Sequence, residues 1–467
     1  MEKLFHDRLP EFYETLAFHF KQGKSVSKAI EYLVKSGEKS LERYALEESH
    51  QYFEQAFELL SNKTQKTKQE QELLIDLINR WAEVFYFRGA YSSVIDLLKA
   101  HEDLAASIDD KEKLGMFYTW LGISLRYREQ LKDAYQYLSK ALKIGEEIEN
   151  EKVIGYACTW LSLTCTDLGL LEDAIVFGER AQVISSLDES DRTLFITSTR
   201  AMGWAYSLIG DCKKVTEVGR ILLDYGQSQS DTRSISWGHA FLGIGHNSAG
   251  DFPSSIKCFQ KAIQVSVDPL VLNSAKMGLG MSYISDDQVQ EAEKTLEEVI
   301  SFSQSFGSEF HGSATKGFLS IVSLLKGNLD QGVRIAEDLL KEFYQNNKKY
   351  KLVGSHVFVG NAYLQIIQRK RPMNFSLLYK NIGFLVKNIL FLNNKAEYHF
   401  NKAIEVSKNI GAKGYLGRAY LGLGFLHKAK GRIQQAGECF SEALKAFEHC
   451  EADFYLKQAK EALESLK

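Results

Sequence analysis

Residues 119–142 read TWLGISLRYREQLKDAYQYLSKAL, and the same arrangement returns as AFLGIGHNSAGDFPSSIKCFQKAI (240–263) and LGLGFLHKAKGRIQQAGECFSEAL (421–444). Each segment carries Leu-Gly, a turn about seven residues later, a small residue, Leu or Phe four further on, and Ala three after that. Glycine inside a helix costs about 1 kcal/mol against alanine. Its return at Gly122, Gly203, Gly243, Gly280 and Gly424 therefore points to places where a second helix comes close. The facing small residues are Ala134, Ala174, Ser255, Ala292 and Ala436, followed by Ala141, Ala181, Ala262 and Ala443. Leu138, Phe259, Leu296 and Phe440 then fill the space between pairs, each contributing about 1.5–3 kcal/mol on burial.

The small position opening each second helix falls at 94, 134, 174, 215, 255, 292, 332, 396 and 436, with Val at 94 and 215 and Gly at 332. Most steps lie near 40 residues. The segments resemble tetratricopeptide repeats (TPRs), whose minimal period is about 34, so longer helices or connections are expected here. The expected fold is all-α: a TPR-type α-α superhelix, a solenoid of antiparallel helix pairs with a period of about 40 residues. Only four prolines among 467 residues agree with a nearly all-helical chain.

One stretch competes with this reading. Gly23-Lys24-Ser25 looks like the end of a phosphate-binding loop, which needs a further glycine five residues earlier and a preceding β-strand. Phe18 holds that position, and Phe12, Leu16 and Phe20 recur at helical intervals before it. The stretch is therefore read as a repeat turn, with Leu16, Ala17 and Phe20 on the first helix and Ala29, Leu33 and Ser36 on the second.

Two breaks in the rhythm divide the chain. SNKTQKTKQEQ (61–71) is polar and aperiodic, and the step from 332 to 396 is too long, its excess holding NNKKYK (346–351) and QRKRPMN (368–374). The expected organisation is an N-terminal helical unit (1–60), a polar joint (61–71), a main array (72–345), an irregular helical insertion (346–395), and a C-terminal repeat with a capping helix (396–467). The last segment, ADFYLKQAKEALESL (452–466), reads as the polar-faced cap that a solenoid needs.

Composition narrows function. A net charge of −3 gives no sign of a nucleic-acid or anionic-membrane partner. No segment approaches the ~18 apolar residues of a membrane span, and the start lacks the apolar core of a secretory signal. Six cysteines without a CxxC pair suggest reduced thiols in a cytoplasmic protein. No HExxH motif occurs, and His239 and His246 are neighbours on a helix at best, so no metal site, cofactor or catalytic centre is expected. The basic runs Lys348-Lys349 and Arg369-Lys370-Arg371 read as solvated loops.

Both ends carry a narrower resemblance: DRLPEFYETLAFHF with KAIEYLVKSGEKS at the start, and the segment from KAEYHFNKAIEVSK to YLKQAKEAL at the finish. They resemble the TPR-bearing C-terminal half of bacterial adenylate/guanylate cyclase-type signalling proteins, in which a cyclase domain and a P-loop ATPase domain precede the repeats. No motif of either catalytic domain has a matching position here. The resemblance implies a non-catalytic regulatory arm with a protein partner such as a cyclase/ATPase domain.

In a TPR array the groove is lined by the first helix of each pair. The repeat register gives Met116, Ile123, Arg126, Tyr127, Tyr156, Leu163, Arg200, Trp204, Trp237, Ile244, Met277 and Met281 as candidates for binding a protein or peptide. The Lys and Asn that hold a C-terminal carboxylate in some TPR domains are replaced by Thr119 with Ile123, Thr159 with Leu163, and Ala240 with Ile244. A free-standing sensor that takes a peptide or small ligand in its concave groove is the alternative reading.

Overall fold

The computed structural model describes residues 2, 6–187, 190–368, 375–388, 390–450 and 452–466, and these contain α-helix, one 3-10 segment and turns but no strand. Two compact units are present: Met1–Trp160 with Val267–Leu270 and Phe306–Ser308, and Leu161–Ser266 with Val271–Ser305 and Glu309–Lys467. The first holds α1 (Tyr13–Gln22), α2 (Val26–Glu42), α3 (Leu46–Ser61), α4 (Lys68–Arg88), α5 (Tyr91–Ala100), α6 (Glu102–Ser107), α7 (Lys111–Tyr127), α8 (Leu131–Glu147) and the start of α9 (Glu151–Leu168). The second continues α9 and adds α10 (Leu171–Leu187), α11 (Arg192–Ile209), α12 (Cys212–Gln229), α13 (Thr232–Ala249), α14 (Phe252–Gln264), α15 (Pro269–Ser285) and α16 (Val289–Phe306). It then runs through α17 (Glu309–Leu325), α18 (Leu329–Gln345), α19 (Lys349–Gln368), α20 (Phe375–Asn388), α21 (Leu392–Ile410), α22 (Lys413–Ala429), α23 (Ile433–Cys450) and α24 (Asp453–Glu464).

Several crossings are built around one missing side chain. A Cβ on Gly122 would lie 2.6 Å from Leu138 Cγ and 3.2 Å from the Ala134 carbonyl oxygen, while Ala134 and Ala141 are fully buried. The same holds at Gly243 against Phe259 (2.8 Å), Gly280 against Leu296 (2.6 Å) and Gly424 against Phe440 (2.5 Å). Ala262, Ala292, Ala436 and Ala443 show no exposure. Distances this short leave no room for a methyl group, so the glycines let the helix backbones approach.

Where the large side chain is missing, it arrives from the other direction. The position filled by Phe259 in one pair is Gly178 or Gly219 in two others. There Met202 packs onto Gly178, and Phe241 sits 2.5 Å from where a Cβ of Gly203 would be. Serine at a crossing adds a tie between helices: Ser162 Oγ donates to the Ala174 carbonyl (2.7 Å), Ser255 Oγ to that of Gly243 (2.7 Å) and Ser49 Oγ to that of Gly37 (2.8 Å).

A uniform turn sets the period. Seven residues after each crossing position the backbone turns left-handed, at Lys24, Tyr44, Gly89 and Glu129 in the first unit and at Gly169, Gly210, Gly250, Asp287, Gly327 and Gly431 in the second. The next N–H then reaches back five residues, as Gln130 does to Leu125 (2.9 Å) and Asp251 to His246 (2.9 Å), closing the helix end. Return turns carry the same left-handed residue at Glu149, Ser230, Asn347 and Gly411. Helices of about 17 residues joined by three-residue links explain a period near 40.

Gly23-Lys24-Ser25 is such a turn, between α1 and α2, and its left-handed residue is Lys24 (φ 55°) while Gly23 stays at φ −77°. Leu16, Ala17, Ala29, Leu33 and Ser36 are all buried there. The same helix α2 then crosses α3 through Gly37, whose Cβ would meet Phe53 at 2.9 Å.

The expected joint at 61–71 contains the start of α4. Thr67 and Glu70 form a reciprocal cap, with Glu70 N donating to Thr67 Oγ1 (3.3 Å) and Thr67 N to Glu70 Oε2 (3.0 Å). The stretch 346–395 differs from a wholly irregular insertion. Helix α19 is the regular first helix of a repeat, and a Cβ on its Gly360 would lie 2.8 Å from Phe400 of α21. The added element is α20, placed between the two helices of that pair. Arg369-Lys370-Arg371 lies outside the described residues, whereas Lys348 is buried, with its Nζ 2.8 Å from Glu342 Oε1.

In the same pair, His356 and His399 are buried with their Nδ1 atoms 2.9 Å apart, and the Tyr344 hydroxyl lies 2.9 Å from His356 Nε2. Burial, with each ring's neighbouring cations or imidazole, lowers the pKa of His356 to about 3 and that of His399 to about 4. Between about pH 6.5 and 4 the unfolded chain binds protons that the folded pair refuses, so stability falls with pH in that window. Urea unfolding should show this loss of stability below pH 6.5, at up to ~1.4 kcal/mol per pH unit for each histidine; His399→Gln should flatten the profile. Replacing Gly424 by Ala should cost ~1–3 kcal/mol in the same measurement. Gly317→Ala, in a helix where a Cβ meets nothing within 4 Å, should be neutral or stabilising.

Candidate functional site

The site lies in the second unit and starts from the repeat register. Residues three before and one after each crossing position share one flank of the helix, because they are four apart. On α11 these are Arg200 and Trp204, on α13 Ala240 and Ile244, and on α15 Met277 and Met281. Three first helices thus contribute Trp204, Ile244, Met277 and Met281 to one apolar wall.

The facing wall comes from the far end of the chain. The left-handed turn at Gly210 abuts α22: a Cβ there would sit 2.8 Å from Gly414 N and 2.9 Å from Cys450 Sγ. The turn at Gly250 receives Phe454 in the same way, and Gly169 receives Ile410 (2.8 Å) and Lys349 (3.1 Å). Glu129 and Asp287 hold the equivalent turns elsewhere in the repeat series. Glycine is required at these seats twice over, since φ is +97° at Gly210 and +90° at Gly250, and the Gly414 backbone at the first and the Phe454 side chain at the second leave no space for a side chain.

Between the walls is a cavity of about 120 Å³. Trp204, Trp237, Ile244, Met277 and Met281 line it from the repeat side, and Tyr415, Arg418, Phe447 and Tyr455 from the C-terminal side, with Phe318 and Tyr350 between. Among the described residues Arg418 is its one charged lining residue. The guanidinium rests over the Tyr455 ring (4.5 Å) and near that of Tyr415 (5.9 Å), and it forms no ion pair among the described residues. Enclosure raises the phenol pKa values of both Tyr350 and Tyr415. Trp237 is buried, with Arg200 over its ring (4.5 Å), and its indole N–H finds no acceptor among the described residues.

The remaining candidates do not line this cavity. Arg200 lies behind Trp237, and Leu163, on α9, is buried. In the first unit Ile123 and Tyr156 are buried, and Met116 is half-buried. Tyr127 stacks on Tyr91 (4.3 Å, 2° between planes), and the Arg126 guanidinium lies over Tyr127 (5.3 Å) and Trp160 (6.0 Å). These side chains act as packing between helices. His246 Nδ1 lies 3.4 Å from Asp251, and His239 is half-buried; among the described residues no three His, Cys, Asp or Glu side chains gather as a metal site. No described helix is long and apolar enough to cross a membrane.

Arg418 was missed although it stands six residues before Gly424, the register position that gives Met116 and Trp237; Tyr350, Tyr415 and Tyr455 carry no signal in the repeat pattern.

The fold and this site define the class: an all-α superhelix of the TPR type. The sequence model of the tetratricopeptide repeat family matches residues 417–450. No curated protein matches the chain. Among solved structures, the chain is similar to a Rap protein complexed with competence and sporulation factor, at 10% identity and a TM-score of 0.52, over 82% of this chain and 98% of that one. It is also similar to the APC/C hetero-tetramer Cut9-Hcn1, at 13% identity and a TM-score of 0.52, over 93% of this chain and 76% of that one.

If the glycine seats hold the C-terminal helices, Gly210→Val should release them. Hydrogen exchange of 413–450 should then quicken by about tenfold or more, while 119–142 keeps its protection.

Proposed function

We propose that the chain is a non-catalytic binding scaffold, and that the cavity of its second unit receives an apolar segment of a protein or peptide partner. The observation that carries this is the convergence of Trp204, Trp237, Met277 and Met281 with Phe318, Tyr415 and Tyr455 around one open volume. Aromatic and Met side chains bury large areas and adapt to varied apolar shapes, which suits peptide recognition. A structural neighbour of the same fold is itself described in complex with competence and sporulation factor. The cysteine usage agrees with a cytoplasmic setting, where thiols remain reduced.

Selection from a random displayed-peptide library tests this reading. Recovered peptides should be rich in apolar residues, and Trp204→Ala and Met281→Ala should each weaken them by about tenfold or more. Peptides that bind both variants as tightly as the parent chain would place recognition elsewhere.

A second reading sets the same scaffold beside a cyclase or ATPase domain as its regulatory arm in a bacterial signalling system, favoured by the resemblance of the two end segments. It predicts that the purified chain neither binds ATP nor turns it over, and that adding it changes the rate of a partner cyclase or ATPase.

A further inference from the structure

We infer that the cavity takes an apolar or aromatic group bearing a single carboxylate, with the carboxylate on Arg418 and the apolar body against Trp204, Met277 and Met281. This rests on the proposal that the cavity is a binding site, and it adds the charge and the orientation.

Two features converge. First, the lining is apolar and aromatic apart from a few hydroxyl and amide groups, and among the described residues it contains no carboxylate. A neutral or cationic apolar ligand would leave Arg418 without a counter-charge in a partly enclosed space, whereas an anion supplies one. Second, Arg418 forms no ion pair among the described residues, and its guanidinium is steadied by the Tyr455 ring at 4.5 Å. A planar guanidinium held on one face keeps its edge N–H groups free for the two oxygens of a carboxylate.

Arg418 stands on α22, itself a first helix, but six residues before the crossing glycine Gly424, not at the three-before and one-after positions where a carboxylate-holding TPR domain places its Lys and Asn. Arg418 closes a chamber whose other wall is neutral. The carboxylate comes either from a small aromatic acid or from the C-terminus of an apolar peptide.

The test uses matched probes on the full-length chain, read by intrinsic tryptophan fluorescence and by ligand-observed NMR. One arm compares 4-phenylbutanoate with 4-phenylbutanamide. The other compares the peptide acetyl-Leu-Met-Phe ending in a free carboxylate with the same peptide ending in an amide. The acid should bind at least about tenfold tighter than its amide in one arm or both, which identifies the source of the carboxylate. Arg418→Gln should abolish that preference while the amide's affinity is kept, and Trp204→Ala should weaken acid and amide alike. Equal binding of acid and amide to the parent chain would overturn the charge inference and leave the cavity reading standing. Absence of binding by all four probes would overturn the inference together with the cavity reading on which it rests.

Discussion

Two helix backbones can approach closely only where one of them gives up its side chain, and the whole architecture depends on that contact. Gly122, Gly243, Gly280 and Gly424 each accept the helix-propensity cost of glycine so that Leu138, Phe259, Leu296 or Phe440 can lie across the bare backbone. Once the crossing is fixed, helix length and turn follow. The left-handed residue seven positions on ends the first helix, and the small residue five after it begins the second crossing surface. Repetition of this unit makes the first helices stand side by side, and so gives their outward face the continuity that a binding wall needs.

A second set of close contacts turns an array into an enclosure. Gly169, Gly210 and Gly250 lie in consecutive turns and serve as seats for helices from the C-terminal part of the same unit. Phe454 on Gly250 and Gly414 on Gly210 hold α22 and α24 where Arg418, Tyr415 and Tyr455 face Trp204 and Trp237. The cavity therefore depends on the same economy of side chains as the fold, used at turns instead of helix crossings.

The fold was legible in the sequence because its determinant is local and periodic: a small residue, a turn and a large residue recur at fixed offsets, and helix geometry converts those offsets into contacts. Ser162 and Ser320 escaped notice at the crossing position because they are polar, although Ser162 is tied there by its hydrogen bond to Ala174. Helix α19 was hidden because the inserted α20 displaces its partner Phe400 from the expected offset, which makes a regular helix look like part of an irregular segment. The site was half legible. Trp204, Ile244, Met277 and Met281 sit at register positions that any repeat of this type would direct into the groove. Arg418 and Tyr455 reach the cavity through contacts between residues about 200 apart in the chain, and no periodicity encodes those. Arg126 and Tyr127 show the converse: the register places them on the groove face, yet the rings of Tyr91 and Trp160 pack against them.

A double-mutant cycle between Gly243 and Phe259 tests the central contact most directly. Each substitution alone, Gly243→Ala or Phe259→Leu, should destabilise the chain, the first by collision and the second by lost volume. Combined, the added methyl should occupy part of the space the ring vacates, so the account predicts a favourable coupling of at least ~0.5 kcal/mol in urea unfolding. Losses that simply add, to within ~0.3 kcal/mol, would contradict it, because the two positions would then not share the space on which the helix crossing is built.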